Sequence, residues 1–395
     1  MTAPDRSAPI HDLAIAGAGA AGLALAVALT AELGPGVRAV VFDPALARDR
    51  PRDDGRASMI AADGRRLLER ADAWPATAHP VAGLRITDSR LEDALRPTFL
   101  ELGQDQPADE PFAHMVSDAD LRAALSARAE ALGVRLDPRA IRSHAASAGG
   151  VTLGLDDGGE VRARLLVAAD GARSGVRARE KIAVSAFPYD QTALVATLAH
   201  EAPHGDVAVQ HFLPGGPFAM LPLAGNRSSL VWSERRARAA EMVALDDDAF
   251  VAEVAKRAGP DFGALTLAGP RSAFPLRFLI ARSFVGRRVA LIGDAAHVVH
   301  PLAGQGLNLG LRDVSALTRV LGEAARAGED LGAPATLSAY ESARRFEVAG
   351  FATAMDGLYR LFTSPLARPL RDVGMGLVDR APGLKRRIVA AASGL

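Results

Sequence analysis

The stretch HDLAIAGAGAAGLALAVALTAELG, residues 11–34, constrains this chain more than any other feature. From Leu13 to Ala31 it carries no charge, a run long enough to read as a membrane span or as the apolar region of a signal peptide. The glycines argue for a different structure. Gly17, Gly19 and Gly22 follow a short apolar run and precede a helix-like one. In that arrangement the first glycine permits a tight turn, the second lets backbone approach a pyrophosphate, and the third lets helix and strand pack closely. The flank APDRSAPIHD lacks the basic character of a signal, and a second apolar run, VRAVVFD, follows soon after. The pattern predicts a parallel βαβ unit in a soluble domain. Asp43 closes the second strand about twenty residues beyond the glycines, where a carboxylate accepts hydrogen bonds from ribose hydroxyls. Gly17, Ala18, Gly19, Ala20, Ala21, Gly22 and Asp43 are therefore candidate nucleotide-binding residues. They recognise ADP, which NAD and FAD share, and do not choose between the two.

A chain of 395 residues is longer than one core usually supports, so two domains are expected. The patterning interleaves them. Segments 1–75, 112–185 and 281–330 read as an α/β, Rossmann-like domain, with a helix near 61–71, a helix over 120–132 capped by Ser117 or Asp118, and a buried strand over 288–292. Segments 76–111 and 186–280 read as a predominantly antiparallel β-sheet domain, from runs such as VAVQHFL, FAMLPLA and SSLVWSE, interrupted by one helix over 236–257. The region 331–395 reads as helical, broken at Pro365, Pro369 and Pro382.

Composition removes several function classes. Basic and acidic residues balance at 46 each, so no global field exists to attract nucleic acid. Cysteine is absent, which excludes disulfides, thiolate metal ligands, iron–sulfur clusters and thiol redox relays. Redox chemistry must come from a bound cofactor. Asp294, His297 and His300 in GDAAHVVHPLAGQGLNLGLRDV have spacing that could suit a metal, but Val298, Val299 and Pro301 work against one continuous metal-binding helix. A packed, hydrogen-bonded role for His297 is the preferred reading, and no metal is expected. There are no paired carboxylates and no nucleophile elbow.

Three motifs in order, Gly17-x-Gly19-x-x-Gly22, Asp170-Gly171-Ala172-Arg173-Ser174 and Gly293-Asp294-Ala295-Ala296-His297 before Pro301, make the chain resemble the FAD-dependent aromatic hydroxylases built like para-hydroxybenzoate hydroxylase, the class A flavoprotein monooxygenases. HPLAGQGLNLGLRDV, the block Asp54-Gly55-Arg56-Ala57-Ser58, residues 215–234 and the C-terminal DGLYRLFTSPLARPLRDVGMGLVDRAPGLKRRIV narrow the resemblance to the hydroxylases of ubiquinone biosynthesis. Asp43 stands where those enzymes usually carry Glu. The resemblance implies one FAD, reduced by NAD(P)H, and an oxygen atom from O2 delivered to the ring of a polyprenyl phenol. It implies cofactor contacts from Arg56, Ala57, Arg122, Asp170, Gly171, Arg173, Gly293 and Asp294, the last on ribityl hydroxyls. Pro301 would lie against the flavin ring, and Gly304, Gln305, Gly306, Leu307 and Asn308 would open a helix whose N–H groups point at it.

His211, Phe218, Met220 and Pro222 are candidate substrate-pocket walls, with ordinary sheet core as the alternative. Arg368, Arg371, Arg380, Lys385, Arg386 and Arg387 could meet anionic lipid headgroups, as expected of a cytoplasmic protein touching the inner face of the membrane and a quinone-synthesis complex. A flavin-dependent prenyl reductase and a non-catalytic flavin-binding subunit stay open as alternatives.

Overall fold

The computed structural model describes residues 10–48, 55–88, 98–103, 111–300 and 305–363. His11–Ala16 lies near the centre of an eight-stranded sheet, paired in parallel with Ala39–Phe42 on one side and Glu160–Ala168 on the other. Val289–Leu291 and Arg135–Asp137 extend the parallel order at the two flanks. Leu13, Ala14, Ile15, Leu165, Leu166 and Val167 are fully buried, as strands covered on both faces must be. One cover is the helix Ala20–Leu33, which packs in turn against Asp118–Ala131 and Gln305–Arg326. This explains the charge-free run: the helix is buried from Gly22 to Thr30, and at 14 residues it falls short of the ~20 needed to cross a bilayer. Among the described residues no helix is long and apolar enough to cross a membrane.

The second sheet has nine strands built around the long Val184–His200, which pairs antiparallel with Arg227–Arg235 and Ser272–Ala281. Gly83–Asp88 adds to it in parallel beside Val207–Leu213. One face is covered by two helices, Arg236–Ala244 and Asp247–Ala258, where the sequence pattern suggested one. Asp246 starts the second by accepting the Ala249 amide at 2.8 Å.

A third, three-stranded sheet joins the other two. His79–Val81, grouped by sequence with the second domain, pairs instead with Ala113–Ser117, which pairs with Ala57–Ala61. Met59, Val81, Phe112 and Met115 from this region share one apolar cluster with Ala219 and Leu221 of the large sheet. Among the described residues, crossing segments therefore bury apolar area at the junction between the sheets.

The C-terminal region is helical over Pro334–Thr363. It is anchored to the first sheet by the Tyr340 hydroxyl, which donates to the Leu291 carbonyl at 2.8 Å. The prolines and basic residues singled out beyond 363 lie outside the described residues.

A buried imidazole, His300, and a half-buried one, His114, are expected to make the fold acid-sensitive. Burial alone lowers the pKa of His300 to about 3; burial, then the Arg65 charge, lowers that of His114 to about 4 against the opposing Glu69. Both groups are neutral when folded and take up a proton near pH 6.5 when unfolded. Their stabilisation is thus full above that pH and lost as pH falls toward 4 and then 3. The slope is up to about 1.4 kcal/mol per pH unit for each histidine. Urea unfolding followed between neutral and mildly acid pH is expected to show this loss, and His114→Phe, which keeps an aromatic ring beside Trp74, is expected to make the dependence shallower.

Candidate cofactor site

At the first glycine turn, Gly17 has φ +109°, and a Cβ there would lie 2.3 Å from the Ala169 carbonyl oxygen. A Cβ on Gly22 would lie 2.1 Å from the Gly17 carbonyl oxygen. Those two glycines are required by close backbone packing within the protein. Gly19 differs: a Cβ there would meet nothing within 4 Å. Gly19 is also the N-cap of Ala20–Leu33, with no side-chain cap and no acidic residue in the first turn. Unpaired amides and the positive end of the helix dipole therefore open onto free space, which suits an anion such as a pyrophosphate.

Asp43 stands beside this loop. Its Oδ2 accepts the Ala18 amide and its Oδ1 the Ala45 amide, both at 2.8 Å. Each oxygen keeps a second lone pair for a ribose hydroxyl.

The Asp170-Gly171 turn follows Glu160–Ala168 and borders the same loop, since the Asp170 amide nitrogen lies 3.0 Å from where a Gly17 Cβ would stand. Asp170 Oδ2 accepts the amides of Gly175 at 2.8 Å and Val176 at 3.1 Å. Its Oδ1 is buried without a partner. An orphaned carboxylate oxygen is costly, and a hydroxyl-bearing ligand is a natural donor to it. Gly171 has φ +80°, the left-handed conformation that favours glycine. Arg173 is solvent-exposed. The arginine that does the stitching is Arg177, which sequence reading missed. It is buried and donates to the carbonyls of Ala295 at 2.7 Å and Ala172 at 2.9 Å, tying the 170–174 turn to the 293–297 turn.

The turn at 293–297 is held from behind. Asp313, fully buried on Gln305–Arg326, accepts from the Gly293 amide at 2.9 Å, His297 Nε2 at 2.6 Å and Arg344 Nε at 2.8 Å. Burial pushes the Asp313 carboxyl up, but His297 and Arg344 outweigh it and hold the group ionised. His297 is thus a packed, hydrogen-bonded histidine. Ala21, Gly293 and Gly310 meet here: a Cβ on Gly293 would lie 3.3 Å from Ala21 Cβ, and one on Gly310 would lie 3.4 Å from Gly293 Cα.

Asp294 itself makes no hydrogen bond with the described residues. Solvent reaches it, yet surrounding protein desolvates it and raises its pKa, with His297, Arg56 and Arg277 opposing. An exposed but desolvated carboxylate belongs on the floor of a cleft.

Arg56 contributes from the other wall. Its Nε is 3.6 Å from Asp118 and its guanidinium lies over Phe274 at 5.2 Å, while Ala57 begins the adjoining strand. Arg122 is half-buried, with Nε donating to the Asp118 carbonyl at 3.2 Å.

The structure also places the remaining expected site residues. The Asn308 side chain is spent on the protein: Oδ1 accepts the Ala61 amide at 2.9 Å and Nδ2 donates to the Met59 carbonyl at 2.8 Å, locking the Ala57–Ala61 strand to the helix. Phe218 and Met220 do not line a cleft. They lie in the core beneath the two helices with Trp232, Met242 and Phe250. His211 stacks on Phe218 and bonds Thr87 Oγ1 through Nδ1 at 2.6 Å, and Pro222 is buried on the same strand. The alternative of sheet core applies to Phe218 and Met220, because both faces of their strand are covered. Gln305, Gly306 and Leu307 form the first turn of Gln305–Arg326, and Leu307 packs on the main core. Pro301 and Gly304 lie outside the described residues.

The family described as FAD binding domain matches residues 11–353. Over 392 residues the chain is 40% identical to the ubiquinone hydroxylase UbiL of Rhodospirillum rubrum, covering 98% of this chain and 90% of that protein. It is 33% identical over 440 residues to the human mitochondrial ubiquinone biosynthesis monooxygenase COQ6, covering 97% of this chain and 92% of that one. The fold is shared with p-nitrophenol 4-monooxygenase PnpA of Pseudomonas putida, at a TM-score of 0.77 and 18% identity over 97% of each chain.

The glycines make a test that separates packing from cofactor binding. Gly19→Ala is expected to cost the flavin-free protein no more than about 1 kcal/mol, the loss of a glycine at the N-cap, and to lower the FAD retained after desalting, read as visible absorbance per protein. Gly22→Ala is expected to destabilise the flavin-free protein itself.

Proposed function

We propose that this chain, which belongs to the FAD-dependent hydroxylase family of ubiquinone biosynthesis, places one oxygen atom from O2 on the aromatic ring of a polyprenylated phenol at the expense of NAD(P)H. The observation that carries the site assignment is the convergence of three separate turns, at Gly19, Asp170 and Asp294, each leaving polar groups open or unpaired beside its neighbour. Bound there, FAD supplies the redox chemistry that takes electrons from NAD(P)H and activates O2.

The protein's own tasks are binding and placement. The amides at the start of Ala20–Leu33 hold the pyrophosphate, Asp43 the ribose, and Asp170 and Asp294 accept from cofactor hydroxyls. The helix beginning at Gln305 packs against the 293–295 turn, and its positive end would favour negative charge in a group bound beside it. No side chain acts as a nucleophile.

With Phe218 and Met220 committed to the core, another aromatic group is better placed for the substrate. Half-buried Phe187 and Phe278 stack at 4.8 Å, Tyr189 sits edge-on to Phe187 at 5.3 Å, and His300 edge-on to Tyr189 at 5.1 Å. Phe278 adjoins Leu279 and Ile280, which pair with His297–Val298 of the third turn, and this proximity supports these rings as the place where an electron-rich phenol would enter and water would be kept out. Peripheral contact with the inner face of a membrane and association with a quinone-synthesis assembly fit a substrate dissolved in lipid.

Asp294→Ala is expected to weaken FAD retention by about 1.5–3 kcal/mol, roughly 10- to 150-fold, without unfolding the chain, since the carboxylate bonds none of the described residues. Purified protein given a prenylated phenol, NAD(P)H and isotopically labelled O2 is expected to place one labelled atom on the ring. Unlabelled product formed equally well under argon would indicate a prenyl reductase, and no turnover of NAD(P)H would indicate a non-catalytic subunit.

A further inference from the structure

The face of the large sheet turned away from its two helices carries polar side chains that neither the cofactor turns nor the core uses. Along Val207–Leu213 successive side chains point to opposite faces. His211 takes the helix-covered face, where it stacks on Phe218. Gln210 therefore lies on the other face, in one cross-strand row with Val195, Val231, Ala219 and Ile86. It is only 4% exposed, and its side-chain amide makes no hydrogen bond with the described residues. A buried amide without partners is costly, and the apolar side chains of its row supply none.

The neighbouring row on the same face leads to the cofactor turns. It runs from Phe274 through Ala193 to Ser233. The Arg56 guanidinium lies over Phe274 at 5.2 Å. Ser233 is buried, and its hydroxyl likewise bonds none of the described residues. Two residues before Ala193, Gln191 bonds His300 Nε2 at 3.0 Å, and the His300 ring meets Tyr189 of the aromatic group. Gln210 and Ser233 thus share a face with the residues that touch Arg56 and His300.

Building on the hydroxylase reading, we propose that Gln210 is a specificity-determining residue that binds the hydroxyl oxygen of the substrate's aromatic ring. A neutral amide offers an acceptor oxygen and two donor hydrogens, while a phenol hydroxyl is itself both donor and acceptor. One amide can therefore satisfy it in either sense. The rest of the row suits the ring itself: Val195, Val231 and Ile86 are apolar, and the small Ala219 stands directly opposite Gln210. A site that hydrogen-bonds a hydroxyl rejects the analogue lacking it, because the amide is then left unpaired. Gln210 places the ring and takes no proton from it.

The test uses the full-length, flavin-loaded protein, titrated by calorimetry with ortho-prenylphenol and, separately, with prenylbenzene. The parent is expected to bind the phenol about tenfold more tightly. Gln210→Met, nearly isosteric and without hydrogen-bonding hydrogens, is expected to remove that preference by weakening the phenol alone. Its flavin content is expected to stay unchanged and its thermal midpoint to be no lower, since an apolar chain replaces an unpaired buried amide. A preference that survives in the variant, a parent without one, or a lowered midpoint that marks Gln210 as structural would overturn the proposal. Binding needs no turnover, so labelled-oxygen incorporation by the parent reports separately on hydroxylation.

Discussion

A single buried carboxylate organises the centre of the molecule. Asp313 takes donors from both ends of the 293–297 turn, Gly293 and His297, and from Arg344 on the last described helix, so one negative charge ties that turn and that helix to Gln305–Arg326. Such a group is costly alone and stabilising only when its partners are complete; removing one partner of a buried pair typically costs about 3–5 kcal/mol. The backbone between Gly293 and His297 therefore has little freedom. That rigidity lets Asp294, only one residue from Gly293, stay exposed and without a bond to the described residues.

The remaining walls are set by close approach. Gly17, Gly22, Gly293 and Gly310 let the first helix, the first turn and the Gln305–Arg326 helix come nearer than side chains would permit. Arg177 then bridges the carbonyls of Ala172 and Ala295, so the second and third turns cannot drift apart. Arg56 and Arg277 add positive potential around Asp294 without forming a direct ion pair with it. The result is a site whose polar groups are preorganised by interactions behind them.

The two sheets are coupled by small, specific contacts as well as by apolar area. Arg277 on the large sheet donates to the Ala172 carbonyl at 2.8 Å, and His297–Val298 pairs with Leu279 and Ile280. His300 reaches Gln191 Oε1 at 3.0 Å, and Gln191 in turn donates to the Gly215 carbonyl at 2.8 Å. These contacts place the aromatic group around Phe187 beside the cofactor turns, and they arise from residues with no shared sequence pattern.

The amino-acid sequence by itself determined the βαβ opening, the interleaving of a parallel and a largely antiparallel sheet, the three turns and the absence of any thiol chemistry. These are local signals: glycine spacing, apolar periodicity and strand-ending carboxylates act over a few residues and survive in any context. Tertiary structure alone decided which polar groups are spent and which are free. Asn308 and Asp294 are both polar residues in one motif, but Asn308 is consumed by the Met59 and Ala61 backbone while Asp294 stays exposed and bonds none of the described residues. Phe218 and Met220 alternate as a pocket wall would, yet alternation names a face without saying what covers it, and here two helices do. Arg177, Asp313 and Arg344 look like ordinary charged positions along helices. They become decisive only when folding removes water and leaves each charge with the partners that distant segments bring.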